Sequence, residues 1–131
     1  MPDKLSVLRE CHRVMRPGGR IAGYVIHTPA GLGAADEQRA RELGPDHVTG
    51  AALPEDLTRE AGFSHVVRED VTAQFRATVE AMLRAARRWA AELRAEQGDE
   101  QYADGCERGE AKLIGIREGL LLRSLVTAIK R

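Results

Sequence analysis

The sequence predicts an α/β fold. Three observations carry that expectation. Residues 20–28 form a mostly apolar run of strand length, residues 64–71 and 120–130 give two further strand-like segments, and the remainder shows apolar residues at helical spacing.

In residues 3–16, Leu5, Leu8, Cys11 and Met15 recur at helical spacing, and Val7 and Val14 widen the apolar face. Asp3 is placed to cap this helix. Pro17-Gly18-Gly19 ends it, because proline disfavours a helical conformation in the residue before it and two glycines permit a sharp reversal. Residues 20–28 show little alternation, which is expected of a strand covered on both faces, in the interior of a sheet. A helix over residues 34–43 is stopped by Gly44-Pro45. A short helix follows within residues 53–63. Pro54 sits in its first turn, Glu55 and Asp56 favour the positive end of its dipole, and Gly62 offers a left-handed terminating position. Residues 64–71 alternate only weakly, so this strand is expected at a sheet edge.

From Thr72 the apolar residues Phe75, Val79, Met82, Ala86, Trp89 and Leu93 recur at steps of four and three, a heptad seam. Glu80 with Arg84, and Arg88 with Glu92, add one-turn charge pairs worth about 0.2–0.5 kcal/mol each. Gly98-Asp99 breaks this helix. The rhythm resumes with Tyr102, Cys106, Gly109, Leu113 and Ile116, while Gly105 and Gly109 allow close helix approach. A helical hairpin over about residues 72–118 is therefore expected between the second and third strands. The β-branched end of residues 120–130 suits a buried strand.

At 131 residues, 43% hydrophobic and 31% charged, the sequence has the composition of one globular domain spanning residues 1–131. Twenty basic and twenty acidic side chains cancel, so no overall field draws the protein to nucleic acid or to an anionic membrane. No run approaches the roughly 20 apolar residues of a membrane span, and a cytoplasmic location is expected. Cys11 and Cys106 form no CxxC and read as two buried, reduced thiols. His12, His47 and His65 have no metal-ligand spacing, so no metal is expected. Arg84, Arg87 and Arg88 read as a solvated helix surface.

Leu8-Arg9-Glu10-Cys11-His12-Arg13-Val14-Met15-Arg16-Pro17-Gly18-Gly19-Arg20-Ile21 resembles the motif that joins the fourth helix to the fifth strand in class I S-adenosylmethionine-dependent methyltransferases. Leu57-Thr58-Arg59-Glu60-Ala61-Gly62-Phe63 and the strand after it are similar to the same family's L-x-x-A-G-F helix and sixth strand. The resemblance spans nearly the whole chain but only the C-terminal half of the family's domain. It implies a partial Rossmann-like fold, with a mixed sheet of strands in the order 5-7-6, flanking helices, and the helical hairpin inserted between the last two strands. It also implies S-adenosylmethionine as cofactor and a small-molecule acceptor. The family's glycine-rich cofactor turn and ribose-binding acid lie in the other half, so the chain alone is expected to have little activity. A separate N-terminal half or a second copy of the chain is the expected partner. The alternative is a non-catalytic assembly module that dimerises through its open sheet edge.

His27 and Thr28 stand at the carboxyl end of the first strand, where open α/β sheets place ligands. His27 is the candidate general base, the other reading being a histidine satisfied by its surroundings. Thr28, Trp89 and Tyr102 are the candidate acceptor-binding residues, with core packing the competing role for the two aromatics. Gly31-Leu32-Gly33-Ala34-Ala35-Asp36 imitates a dinucleotide-binding turn. Asp36 at its third position puts negative charge where an anionic ligand would sit, and an ordinary glycine-containing connection is expected instead.

Overall fold

The computed structural model describes residues 3–46, 48 and 52–131. In chain order the elements are α1 (Lys4–Val14), β1 (Arg20–His27), α2 (Ala34–Leu43), α3 (Pro54–Glu60), β2 (Ser64–Asp70), α4 (Thr72–Arg88), α5 (Ala90–Gln97), α6 (Asp99–Arg117) and β3 (Leu122–Ile129). The three strands form one sheet in the order β1-β3-β2, with β3 antiparallel to both neighbours. Thus the last strand lies in the centre and the strand after α3 at an edge, as the sequence predicts.

Asp3 caps α1, its carboxylate accepting from the Ser6 amide at 2.9 Å. The Pro17-Gly18-Gly19 reversal is fixed to the sheet from both sides. The Gly18 amide donates to the Lys130 carbonyl at 2.6 Å, and the Lys130 amide donates to the Gly19 carbonyl at 2.9 Å. Gly18 has φ +83°, a conformation that a β-carbon would strain. The Lys130 ammonium also donates to the carbonyls of His12 and Met15, at 2.6 and 2.9 Å, at the α1 C-terminus, where the helix dipole favours positive charge. At the end of α3, Gly62 takes φ +105° while the Gly62 and Phe63 amides bond back to the carbonyls of Arg59 and Thr58.

The sheet is packed at two opposite corners. Antiparallel register pairs Ile21 with Ala128 and Ile26 with Arg123, and the alternation of a strand sends Ile21 and Ile26 to opposite faces. On the Ile21 face, Ala61, Phe63 and Ala128 are buried against Leu5, Leu8, Cys11 and Met15 of the α1 segment. On the Ile26 face, Phe75, Val79, Leu83 and Leu113 form a second cluster joined by Cys106 and Ile116.

Five expectations are corrected by this packing. The buried stripe of α4 is Phe75, Val79 and Leu83, whereas Met82 is 66% exposed, because the helix faces α6 with a 3.6-residue repeat and not a coiled-coil seam. Residues 72–118 form three helices: α4 ends at Arg88, Trp89 lies at the junction, and α5 is a separate element before α6. Strand β1 is not covered on both faces, since Ala22, Gly23 and Tyr24 are exposed where its outer edge has no partner in the sheet. Cys11 and Cys106 are half-buried free thiols. Glu80 pairs with Arg76 at 2.9 Å, one turn before it, instead of with Arg84. The close approach expected at glycine holds at Gly109, where an added β-carbon would stand 2.8 Å from a Leu83 methyl, while Gly105 faces open space.

Candidate functional site

A cleft of about 570 Å³ runs along the length of β1. It is lined by Val7 and Leu8 of α1, by the loop Thr28 to Leu32, and by Pro54, Leu57 and Thr58 of α3. Its size is that of a small-molecule site, and such sites combine apolar walls with a few polar groups. The polar groups at this one are Lys4, His27, Thr28, Glu37, Asp46 and Thr58. Partial burial holds the Lys4 ammonium below its ordinary pKa.

His27 and Thr28 are brought together at this cleft, at the carboxyl end of β1. His27 is only 5% exposed, and both ring nitrogens are engaged: Nδ1 lies 2.9 Å from the Thr28 carbonyl and Nε2 lies 2.8 Å from the Ser124 hydroxyl. A carbonyl oxygen can only accept, so Nδ1 carries a proton, and in the neutral imidazole Nε2 then accepts from Ser124. The lone pair a general base would use is thereby directed into the sheet. His27 thus has the hydrogen bonding of a satisfied histidine.

Trp89 and Tyr102 do not line the cleft. Trp89 is 50% exposed, with the Arg88 guanidinium over its ring. Tyr102 is buried; its hydroxyl donates to the Ala86 carbonyl at 3.0 Å, Arg94 stacks on its face, and desolvation raises its phenol pKa. Gly31 and Leu32 line the cleft as part of a loop into α2, and α2 is followed by α3 before β2, which is separated from β1 by β3. Among the described residues no three of His, Cys, Asp and Glu cluster as a metal site; His47 lies outside them. No helix among them is long and apolar enough to cross a membrane.

Sequence reasoning missed Ser124, Arg68 and Glu55. Ser124 is fully buried in the central strand and accepts from Arg68 Nη1 at 3.3 Å, and Arg68 Nε donates to Glu55 at 3.0 Å. The available signal was a lone serine inside the apolar terminal strand. Its neighbour Arg123 lies between the Tyr24 and Phe75 rings, at 4.8 and 5.0 Å from their centroids.

No family model matches the chain. Over 77 residues it is 43% identical to the 27-O-demethylrifamycin SV methyltransferase of Amycolatopsis mediterranei strain S699, a match covering 55% of this chain and 28% of that protein. Among solved structures, 99% of the chain superposes on 31% of the phosphoethanolamine N-methyltransferase 2 of Haemonchus contortus, with a TM-score of 0.79 and 16% identity. It also superposes, again over 99% of its length, on 48% of a Galdieria sulphuraria protein described as a sarcosine dimethylglycine methyltransferase, with a TM-score of 0.82 and 20% identity. The fold is that of a class I methyltransferase. A mycobacterial relative of different chemistry, a cyclopropane synthase of Mycobacterium tuberculosis, shares it with a TM-score of 0.73 over 96% of the chain. This methyltransferase-fold chain spans half or less of each of these relatives, 28% of the curated one and 31 to 49% of the solved ones. The Haemonchus enzyme was solved with S-adenosylhomocysteine and, in a second structure, with S-adenosyl-L-methionine.

Proposed function

We propose that residues 1–131 are the acceptor-side half of an S-adenosylmethionine-dependent methyltransferase that acts on a small-molecule acceptor, with little activity on its own. The observation that carries this reading is the 43% identity, over 77 residues, to an enzyme whose name specifies methylation of a small-molecule oxygen. The cleft along β1 supports it. Val7, Leu8 and Leu57 give the apolar surface that excludes water from an acceptor, and Thr28 offers a hydroxyl to orient it.

The cofactor, when bound, supplies the activated methyl group. What the described residues offer it is one side of a site: the apolar edge of β1 and the acids Glu37 and Asp46 at the cleft. A complementary half that pairs with β1 would bring the rest. A cytoplasmic location accords with such a partner-dependent enzyme.

The test is calorimetric titration with S-adenosylhomocysteine of the purified chain, alone and after mixing with the cofactor-binding half of a relative. Micromolar binding in the mixture is expected; its absence both alone and mixed would overturn the enzyme reading.

One observation bears on the second reading, an assembly module that dimerises through its sheet. Tyr24 of β1 and Val67 of β2, 66% and 60% exposed, are paired with Leu125 and Thr127 and therefore share one sheet face. Light scattering at micromolar concentration is expected to show a dimer under this reading, and Tyr24→Lys to dissociate it. A monomeric parent chain would remove the module.

A further inference from the structure

We infer that His27 is a positioning residue, locked in one tautomer by a one-way hydrogen-bond chain that fixes the acceptor-side wall of the cleft. The inference rests on the reading of that cleft as the acceptor site. Four elements contribute. Glu55, in the first turn of α3, accepts from Arg68 Nε of β2 at 3.0 Å; Arg68 Nη1 donates to Ser124 of β3 at 3.3 Å; Ser124 donates to His27 of β1 at 2.8 Å; and His27 donates to the Thr28 carbonyl at 2.9 Å.

With the imidazole neutral, the direction of every bond is set from the two ends. A guanidinium has donors and no acceptor, so it must occupy a lone pair of the Ser124 oxygen, which leaves the hydroxyl proton for His27 Nε2. A carbonyl has no proton, so His27 Nδ1 must supply one. Ser124 is fully buried and His27 nearly so, and reversing any bond would strand a buried polar group without a partner. The Glu55 carboxylate balances the Arg68 charge at the solvent end, where their side chains are 15% and 38% exposed.

The chain ends on the first residue of the loop from β1 to α2. That loop, Thr28 to Leu32, lines the cleft. His27 therefore acts on an acceptor through the carbonyl it holds and not through its own lone pair. Sequence position alone, at the end of a strand, would have given it the base's part.

The test uses the 15N-labelled 131-residue chain. Long-range proton–nitrogen correlation of the imidazole is expected to show His27 protonated at Nδ1 alone, with order parameters across residues 30–32 near the rigid value of about 0.85. In Ser124→Ala the Thr28 carbonyl still holds the Nδ1 proton while Nε2 loses its donor, so the Nε2 resonance is expected to shift and the loop order parameters to fall below about 0.6. Arg68→Gln, at a more exposed position, is expected to shift both readouts the same way and serves if Ser124→Ala does not fold. Protonation at Nε2 in the parent chain, or an unmoved Nε2 resonance and loop in both variants, would overturn the inference.

A second arm uses the chain completed with a cofactor-binding half. There Ser124→Ala is expected to raise the acceptor KM severalfold more than it lowers kcat. A fall in kcat with an unmoved KM would make His27 a base and sink the positioning role. Failure of the parent mixture to transfer any methyl group would count against the methyltransferase reading alone, leaving the spectroscopic arm to decide the hydrogen-bond chain.

Discussion

Mixed with the cofactor-binding half of a relative, the chain is expected to methylate a hydroxyl-bearing acceptor at least about a thousandfold faster than it does alone. Methyl transfer from a sulfonium centre to oxygen is an in-line displacement, and its catalysis consists largely of alignment. Holding two reactants in register is worth up to about 7–11 kcal/mol, so removing the surfaces that hold one of them removes most of the rate. This chain supplies the other surfaces: the apolar cleft wall of α1, the Thr28 to Leu32 loop, and the open edge of β1 against which a strand can pair. That edge should be protected on mixing. Amide exchange across residues 21–26 is therefore expected to slow in the same samples in which the acceptor gains a methyl group, as read by mass spectrometry. Equal rates with and without the second half would sink the proposal. So would a mixture in which the edge becomes protected and no methyl group moves.

How much of this was legible in the sequence depended on how local the cause was. The reversal at Pro17-Gly18-Gly19 and the end of α3 at Gly62 were readable, because proline and glycine leave few backbone choices and the choice is made within a few residues. The three strands were readable from their apolar runs, and their order from the family resemblance. The stripe on α4 was not. Met82 and Leu83 are adjacent apolar residues, and only the position of α6, more than 15 residues further on, decides that Leu83 turns inward. The helix break at Trp89 was missed for a related reason, since no proline or glycine marks it. His27 illustrates the limit most clearly. Its place at the end of β1 follows from local pattern, but its partner Ser124 lies 97 residues away, and that contact settles which nitrogen carries the proton.

The largest stability effect is expected at Leu121. This side chain is 0% exposed, at the turn from α6 into β3. It fills the space left by two glycines: an added β-carbon would stand 2.8 Å from its Cδ2 at Gly44 and 2.5 Å from its Cδ1 at Gly115. It thereby joins the end of α2 to α6, and the Leu121 amide donates to the Gly115 carbonyl at 3.1 Å. Leu121→Ala removes a fully buried side chain from a site whose walls are backbone and cannot collapse readily, so a loss of about 2–5 kcal/mol is expected in urea denaturation. Against a usual total of about 5–15 kcal/mol, that is enough to leave a domain of this size marginal. Gly115→Ala is expected to cost about 1–3 kcal/mol by the opposite fault, since its methyl group would overlap the leucine. The two faults compensate. In Gly115→Ala with Leu121→Ala, the new methyl enters the space the leucine has vacated, and the double variant is expected to be more stable than the sum of the single losses predicts by about 1 kcal/mol or more. Additivity within about 0.3–0.5 kcal/mol would show that Leu121 and Gly115 do not share that space, and with it would go the account of how the two glycines were matched to one leucine.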